Sequence, residues 1–188
     1  MKKHALIALA LAAVTTAGTV GAAHADDTRF SLAVGPAWTS VDGLKGDTLA
    51  GVNLQYKFEW KKSRVGLVGG LTHTSHSSDS YTLDGVPGSR VDADFSYTSF
   101  TVGPSFRFNK YVTLYGQVGV GQGEIEINDA QAPGYQVSYA EHEGETSLVY
   151  GIGAHLQPDR HLFLNLYYER GGMLVDTDTY SIGLGYMF

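Results

Sequence analysis

The last nine residues of the chain, Tyr180 to Phe188, alternate strictly between large apolar and smaller side chains. Successive side chains of a β-strand point to opposite faces, so the alternation places all the large groups on one face. Chain termini fray unless something holds them, and a soluble protein seldom ends on such an apolar face. A strand between lipid and a narrow barrel lumen explains the pattern. The alternative is an amphipathic edge strand of a soluble β-sandwich.

The N-terminus has the features of a secretory signal peptide. Two lysines precede the apolar run Ala5–Val14, and small residues then lead to Ala23-His24-Ala25, which fits an A-x-A cleavage site. We therefore predict a cleaved signal over residues 1–25 and one exported domain over residues 26–188. Losing two of the 13 basic residues leaves 11 against 19 acidic ones, a net charge of −8. The chain has no cysteine, so export does not serve disulfide formation.

Eight segments of the predicted domain alternate in this way. In the clearest of them, residues 50–60, apolar or aromatic side chains alternate with Gly51, Asn53, Gln55 and charged residues. Each run reaches or nears the roughly 9–11 residues that a tilted strand needs to cross a bilayer. The 24 glycines, 12 tyrosines and 8 phenylalanines suit a tight barrel interior with aromatic girdles. The predicted strands are 30–38, 50–60, 65–72, 100–108, 112–121, 147–157, 162–169 and 180–188.

The connections between these segments alternate between short and long. Short periplasmic turns and longer extracellular loops are typical of outer-membrane barrels. We therefore predict an all-β fold, an eight-stranded antiparallel transmembrane β-barrel of the outer-membrane type, with both termini on the periplasmic side. The short turns are 61–64, 109–110 and 158–161, and the longer polar segments lie near 39–48, 75–94, 128–146 and 171–178.

Two features depart from simple alternation. Pro104 lies on the apolar face of a strand, where it removes a hydrogen-bond donor from the ladder, and it predicts a bulge. After Gly121, Ile125 and Ile127 continue the phase of the inward-facing residues. We expect that this strand continues beyond the membrane, or that a bulge resets its phase.

Six strand segments carry a resemblance to a known family. They are Gly51-Val-Asn-Leu-Gln-Tyr-Lys-Phe-Glu59, Gly103-Pro-Ser-Phe-Arg-Phe-Asn109, Tyr115-Gly-Gln-Val-Gly-Val-Gly121, Tyr150-Gly-Ile-Gly-Ala154, Tyr167-Tyr-Glu169 and Gly183-Leu-Gly-Tyr-Met-Phe188. They resemble the Ail/OmpX/PagC/Lom family, and the likeness covers nearly all of residues 26–188. The resemblance implies an eight-stranded barrel in the outer membrane of Gram-negative bacteria, or one encoded by their phages.

The activities of that family do not transfer with its fold. Its members include adhesion, invasion and serum-resistance proteins, as well as members of no settled role. The loops carry these activities and diverge, so the resemblance implies no particular ligand. The aromatic C-terminus is also similar to the signal that the outer-membrane barrel-assembly machinery recognises, which implies this machinery as a partner through Phe188 and its strand.

Four charged residues fall on the predicted inward face: Lys57, Glu59, Arg107 and Glu169. A carboxylate pair near a cation suits general acid–base catalysis. Eight strands, however, leave a lumen just wide enough for side chains to fill, and buried charges are costly unless paired. We therefore expect these residues to pair in a packed interior, with no open pore, catalytic residue or cofactor.

Histidines and serines at the end of the third predicted strand form a second candidate site. His73 and Ser75 share the outward face, and small outer-membrane barrels that deacylate lipid A use a lipid-facing His and Ser with an acid. No acid position is indicated here. His73 and His76 do not complete a metal coordination set, so no metal is predicted. We expect His142 and His161 to be solvated and His155 to face the lumen.

The predicted extracellular segments are strongly acidic. They hold twelve carboxylates against two bases, while the short turns hold five bases against one acid. Acidic loops repel sulfated glycans and nucleic acid, which need basic patches. They suit basic host surfaces or divalent cations shared with lipopolysaccharide phosphates, and they equally serve solubility alone. The twelve acids are Asp42, Asp47, Asp79, Asp84, Asp92, Asp94, Asp129, Glu141, Glu143, Glu145, Asp176 and Asp178.

One loop adds an alternating pattern of its own. Tyr135, Val137 and Tyr139 alternate after Ile125 and Ile127, which predicts a sheet that protrudes above the membrane. Its exposed edge would bind a partner strand by augmentation, or would form a stiff loop without a partner.

We predict a monomeric, non-enzymatic outer-membrane surface protein. The expected partners are outer-membrane lipids and lipopolysaccharide, host cell-surface or serum proteins through the acidic loops, and the assembly machinery, but not nucleic acid. The alternatives are a barrel enzyme that modifies lipid A and a purely structural envelope barrel.

Overall fold

The structure is a computed structural model, and it describes residues 28–41, 48–77, 90–132, 135–137, 141–172 and 176–188. The predicted signal peptide, residues 1–25, lies outside the described residues. The described residues contain no helix with the length and apolarity that crossing a membrane requires.

Within the described ranges the chain forms eight long strands and one short strand. Every paired strand is antiparallel to its neighbour. The strands are β1 (Thr28–Val41), β2 (Thr48–Trp60), β3 (Val65–Ser77), β4 (Arg90–Arg107), β5 (Val112–Ala132), β6 (Tyr135–Val137), β7 (Glu141–Leu156), β8 (Leu162–Gly172) and β9 (Asp176–Met187). The strand order is β4-β3-β2-β1-β9-β8-β7-β5, and a further pairing of β4 with β5 closes the barrel. The predicted eight-stranded antiparallel barrel is confirmed.

The two faces of the barrel wall have the inverted polarity of a membrane barrel. Leu184 is 63% exposed and Val118 is 58% exposed, whereas Glu59 and Thr39 are fully buried. A large apolar outer surface around a polar interior suits a barrel whose outside meets lipid. The alternation in the sequence therefore assigned inward and outward faces correctly in every predicted strand.

Glycines make room for the rings inside the lumen. A Cβ atom on Gly185 would overlap the ring of Phe163, and one on Gly153 would overlap the ring of Tyr115. Tyr115 also packs with Tyr167 and with Val68, which is fully buried. Val68 lies in phase with Gly66 and Gly70, its buried neighbours on β3.

The prediction of a bulge at Pro104 is wrong. Val102 lies opposite Val118 and Ser105 opposite Tyr115, so the register of β4 against β5 is the same on both sides of the proline. The β4–β5 pairing is interrupted at Gly103 and Pro104 and then resumes in the same register. A Cβ on Gly103 would overlap the carbonyl of Gly116, so the two strands approach closely beside the proline and leave no room for an extra residue.

Three strands are much longer than a membrane crossing requires. β4 has 18 residues, β5 has 21 and β7 has 16, compared with the roughly 9–11 of a tilted spanning strand. The β4–β5 register shifts only at Asp92/Ala93, so β5 runs on unshifted through Ile125 and Ile127. Of the two outcomes expected after Gly121, continuation of the strand is the one observed.

The long strands extend into segments predicted as loops. The short β6 pairs with β5, where Ala130 lies opposite Val137 and Ala132 opposite Tyr135. Tyr139 lies outside the described residues. The backbone therefore forms the protruding sheet that the alternation of Tyr135 and Val137 predicts.

Candidate functional site

The first candidate site is the group of inward charges on β2 and β4. The Lys57 ammonium lies 3.6 Å from Glu59 Oε2, and Arg107 Nη2 contacts the same carboxylate oxygen. Lys57 and Glu59 are buried, while Arg107 is partly exposed at the lower end of the lumen. The predicted pairing of opposite charges is confirmed for these three residues.

Glu169 has a different environment. The Tyr97 hydroxyl donates to Glu169 Oε1 at 2.5 Å, and the Tyr167 hydroxyl donates to Oε2 at 2.8 Å. Among the described residues Glu169 forms no ion pair, and its carboxylate oxygens accept hydrogen bonds from two tyrosines. The expectation that inward charges pair with opposite charges is therefore wrong for Glu169. Charge-assisted hydrogen bonds of this kind stabilise a buried carboxylate without a neighbouring cation.

The sequence prediction missed Tyr97 as a partner. It began the fourth strand at Phe100, whereas β4 begins ten residues earlier at Arg90. Tyr97 precedes Ser99 and Thr101 at a spacing of two, so the alternation would have placed it inward had the strand been extended.

Hydrogen bonds also cross the lumen between strands that are not neighbours. Gln55 Nε2 donates to Gln117 Oε1 at 3.4 Å, and the Tyr115 hydroxyl donates to Asn165 Oδ1 at 2.5 Å. His155 is buried between the rings of Tyr115 and Phe163, so its predicted lumen position is confirmed. The lumen is thus a packed polar core.

This packing bears on the acid–base hypothesis. Both inward carboxylates, Glu59 and Glu169, are fully buried beneath other side chains. A general acid or base must come within hydrogen-bond reach of a reacting group, which a filled lumen does not allow. The geometry therefore supports a structural role for these charges.

The second candidate site lies on the outward face of β3. His73 and Ser75 are both exposed on that face, as predicted. The His73 Nδ1 atom, however, lies 2.9 Å from Thr98 Oγ1 on β4, so its hydrogen bond runs across the strands instead of along β3 to Ser75. Among the described residues no group of three or more His, Cys, Asp and Glu side chains is placed to hold a metal ion.

A third cluster lies where β8 and β9 leave the membrane. Arg170 Nη2 donates to Asp176 Oδ2 at 2.8 Å, and Arg170 Nε lies 4.0 Å from Asp178 Oδ1. The Tyr168 hydroxyl donates to Asp178 Oδ1 at 2.5 Å, and the Tyr168 ring contacts that of Tyr180 at 5.1 Å. Asp176 and Asp178, which the sequence assigned to a loop, therefore belong to β9 and are paired with a base.

The other histidines differ in their surroundings. His161 is exposed in the β7–β8 turn, as predicted, and its ring stacks on Tyr186 at 5.7 Å. His142 belongs to β7, where its backbone lies opposite Glu126 of β5, and its side chain lies outside the described residues. His76 is half-buried and has interactions of its own.

Comparison with known proteins gives a consistent set of relatives. The family model for the outer membrane protein beta-barrel domain matches residues 7–188. The attachment invasion locus protein of Yersinia pseudotuberculosis is 33% identical over 162 residues, which cover 84% of each chain. Outer membrane protein X of Escherichia coli is 30% identical over 190 residues, which cover 100% of both chains.

A solved structure agrees with these relatives. The structure of Ail, the attachment invasion locus protein of Yersinia pestis, in complex with the heparin analogue sucrose octasulfate matches with a TM-score of 0.70 at 30% identity. The match covers 86% of this chain and 99% of that chain. Both the family resemblance and the outer-membrane location expected from the sequence are thereby confirmed. With a matching family over nearly the whole sequence and a closed eight-stranded barrel, the chain belongs to the outer-membrane β-barrel proteins of the Ail/OmpX family.

Proposed function

We propose that this protein is a non-enzymatic surface barrel that attaches the bacterium to host cells or serum proteins through its extracellular strands. The extension of β4, β5 and β7 beyond the membrane carries this proposal. Below the extension the lumen is packed, so the surface available to an external partner is the protruding part. Loops and strand ends on a rigid scaffold are the usual position of binding residues.

The chemistry of that surface favours a basic partner. The backbone register places Asp92 opposite Asp129 and Asp94 opposite Glu126, so acidic positions meet across the β4–β5 ladder. Like charges directly opposite each other disfavour strand pairing, and a basic partner or a bound cation would relieve that cost. An acidic surface also speeds association with a basic partner and slows it with a polyanion.

The sulfated sugar bound by the Yersinia pestis relative is not carried over to this chain. That relative was crystallised with the heparin analogue sucrose octasulfate. Recognition of a polyanion needs basic side chains, and the extracellular segments here hold Lys45 and Arg90 against twelve acids. We therefore propose attachment to the basic faces of host proteins, without heparin-like glycans as the primary ligand.

Bacteria that produce the protein provide the test. Binding to host-cell monolayers and survival in serum are measured with each extracellular segment replaced in turn by a short Gly/Ser linker. The sharper variant replaces Asp92, Asp94 and Asp129 by Asn, and a matched control replaces Lys62 and Arg64 in a periplasmic turn by Gln. The proposal is supported if the Asn variant loses binding to host cells while the control variant in the periplasmic turn keeps it. Full binding by every extracellular variant would refute it.

Two alternatives are separated by other measurements. A lipid A-modifying enzyme would change the acyl chains of lipid A, seen by mass spectrometry, in a manner abolished by His73→Ala or Ser75→Ala. A purely structural barrel would leave host binding, serum survival and lipid A unchanged on deletion and would alter only envelope integrity. We expect unaltered lipid A and reduced host binding.

We also propose that residues 1–25 are removed on export, so that the protein in the membrane begins at Asp26. N-terminal sequencing of protein purified from outer membranes tests this cleavage. A sequence that starts at Met1 would contradict it.

A further inference from the structure

A pocket of about 650 Å³ opens at the periplasmic mouth of the barrel. It lies at the end of the barrel where β1 begins and β9 ends, beside the short turns and on the opposite side from the protruding strands. Its basic lining comes from Arg29 on β1, Arg107 on β4, Lys110 in the β4–β5 turn and Arg160 in the β7–β8 turn. We call this cavity the periplasmic pocket.

Hydrogen bonds fix the turns that form the pocket. Asn109 Oδ1 accepts the backbone N–H groups of Tyr111 at 2.8 Å and Val112 at 2.9 Å. The Gln157 backbone N–H donates to the Tyr111 carbonyl at 2.7 Å, which ties one turn to the other. The Gln157 side chain donates to the Arg160 carbonyl at 3.1 Å. The two turns that supply Lys110 and Arg160 are therefore held in place before any ligand arrives.

Among the described residues that line the pocket, basic groups outnumber acidic ones. Four side chains, from Arg29, Arg107, Lys110 and Arg160, face Asp159 and the C-terminal carboxylate of Phe188. Arg107 is engaged with Glu59 inside the lumen. Within the described part of the chain, no ion pair joins Arg29, Lys110 or Arg160 to a carboxylate.

The Lys110 side chain lies beside an aromatic ring of the pocket. Its ammonium lies 4.7 Å above the ring of Tyr111, a cation–π contact that leaves its N–H donors available. His161, another lining residue, stacks on Tyr186 and carries a ring N–H donor. Gathering several cations around one cavity costs free energy through mutual repulsion, and an anion in the cavity removes that cost.

We propose that the periplasmic pocket binds an anion that carries phosphate, either free or as the headgroup of an anionic phospholipid in the inner leaflet. Two guanidinium groups offer paired N–H donors that match the oxygens of a phosphate group, and an ammonium adds a point charge. The volume lies within the range of small-molecule sites and exceeds what a single ordered water needs. Tyr111 and Phe188 at the rim supply apolar surface beside which a lipid tail would lie.

The experiment uses the intact barrel, purified from outer membranes in detergent and titrated with inorganic pyrophosphate by calorimetry. The test variant combines Arg29→Gln and Arg160→Gln. A matched control combines Lys62→Gln and Arg64→Gln, which removes the same charge from a periplasmic turn outside the pocket. A third variant, Arg29→Lys with Arg160→Lys, retains the charge and loses the paired donors. Heat-modifiable gel mobility verifies that each barrel is folded.

The lipid source is tested in parallel. Barrels reconstituted in nanodiscs of phosphatidylglycerol or phosphatidylcholine are released in the gas phase, and native mass spectrometry counts the lipids retained. Selective retention of phosphatidylglycerol that the Gln test variant abolishes assigns the site to headgroups. Saturable pyrophosphate binding without lipid retention assigns it to a soluble phosphate.

We expect the Gln test variant to bind pyrophosphate at least about tenfold more weakly, because it loses one or more charge-assisted hydrogen bonds to the ligand. The matched control should stay within about twofold, since screening limits the effect of charges outside the pocket. The Lys variant should fall between them. Equal weakening in the test variant and the control, or no saturable binding of pyrophosphate and no lipid retention, would overturn the proposal. Equal affinity for acetate and pyrophosphate would also overturn it, because it would show a site for any anion.

Discussion

The backbone N–H of Phe188 donates to the carbonyl of Phe30 at 2.8 Å, so the last residue of the chain is hydrogen-bonded to the first strand. The pairing continues upward, with Leu32 opposite Tyr186 and Val34 opposite Leu184. The first and last strands, β1 and β9, thus pair along a seam of the barrel and cover the edges that an open sheet would expose. The apolar alternation of the last nine residues is one half of this seam.

The outward face predicts a strong dependence of stability on depth in the bilayer. Leu54→Arg places a charge on the lipid side at the middle of β2, and Val118→Arg places one on the lipid side of the membrane-spanning part of β5. Each change should lower the free energy of unfolding by roughly 2–4 kcal/mol, because a charge at the midplane loses its hydration. Urea unfolding of the barrel in lipid vesicles measures this.

A control on the same face separates depth from the substitution itself. Leu162 begins β8 at the periplasmic end and is also exposed. Leu162→Arg should cost only about 0–1 kcal/mol, because the charge reaches the interface. Equal costs at Leu162 and Val118 would contradict a lipid environment around the wall.

The packed lumen predicts a specific incompatibility between Gly185 and Phe163. Gly185→Ala places a methyl group where the Phe163 ring lies, and overpacking of this kind costs about 1–3 kcal/mol. In a Phe163→Leu background the same change should cost less, since the ring is gone. Gly172→Ala is the control, because a Cβ there meets nothing within 4 Å. A double-mutant cycle measures this coupling. An equal loss of stability from Gly185→Ala in the parent and in the Phe163→Leu background would contradict the prediction.

The two inward carboxylates should differ in their tolerance of neutralisation. Glu59→Gln leaves Lys57 and Arg107 facing each other without a counter-charge, and removing one member of a buried ion pair costs about 3–5 kcal/mol. Equilibrium unfolding at neutral pH measures this loss.

Glu169 provides the comparison within the same lumen. Glu169→Gln keeps one acceptor for two tyrosine hydroxyls, so it should cost only about 1–3 kcal/mol for the mismatched donor. Equal losses for Glu59→Gln and Glu169→Gln would mean that the ion pairs add nothing beyond hydrogen bonding.

The sequence was sufficient for the barrel wall because each wall residue has only two possible faces. Once the phase of a strand is known, the positions of Ser31, Phe163 or Leu184 follow from a period of two. The contacts across the lumen join strands that are far apart in the chain. Alternation therefore placed Glu169 inward, but only the closed geometry brings Tyr97 of β4 to its carboxylate.

The periplasmic pocket could not be predicted from the sequence for a similar reason. Arg29, Lys110 and Arg160 are each unremarkable in their own segments, and only barrel closure gathers them around one cavity. The lengths of β4 and β5 were underestimated because polar and small residues interrupt the row of large apolar side chains before Phe100 and after Val120. The bulge expected at Pro104 does not form, because Gly103 beside it lets β4 and β5 approach closely without an extra residue.

The last prediction concerns the role of Phe188 in assembly. Its side chain is 75% exposed on the lipid face and meets the Tyr186 ring edge-on at 5.1 Å. Deleting Phe188 removes one outward side chain and one seam hydrogen bond, which should lower the free energy of unfolding by roughly a few kcal/mol at most. A finished barrel with the rest of the β1–β9 ladder should survive this loss. We therefore expect the deletion to impair delivery by the assembly machinery more than it impairs stability.

Two measurements separate assembly from stability. In cells, the deletion should leave less barrel in the outer membrane and more unfolded protein in the periplasm, by fractionation and protease sensitivity. In detergent, the same purified variant should refold to the compact, heat-modifiable form with unfolding close to that of the parent. Phe188→Tyr keeps a terminal aromatic ring and should assemble normally, whereas Phe188→Ala should resemble the deletion. Normal outer-membrane levels of the deletion would show that the terminal residue is not an assembly signal, and failure to refold in detergent would show that the seam itself depends on it.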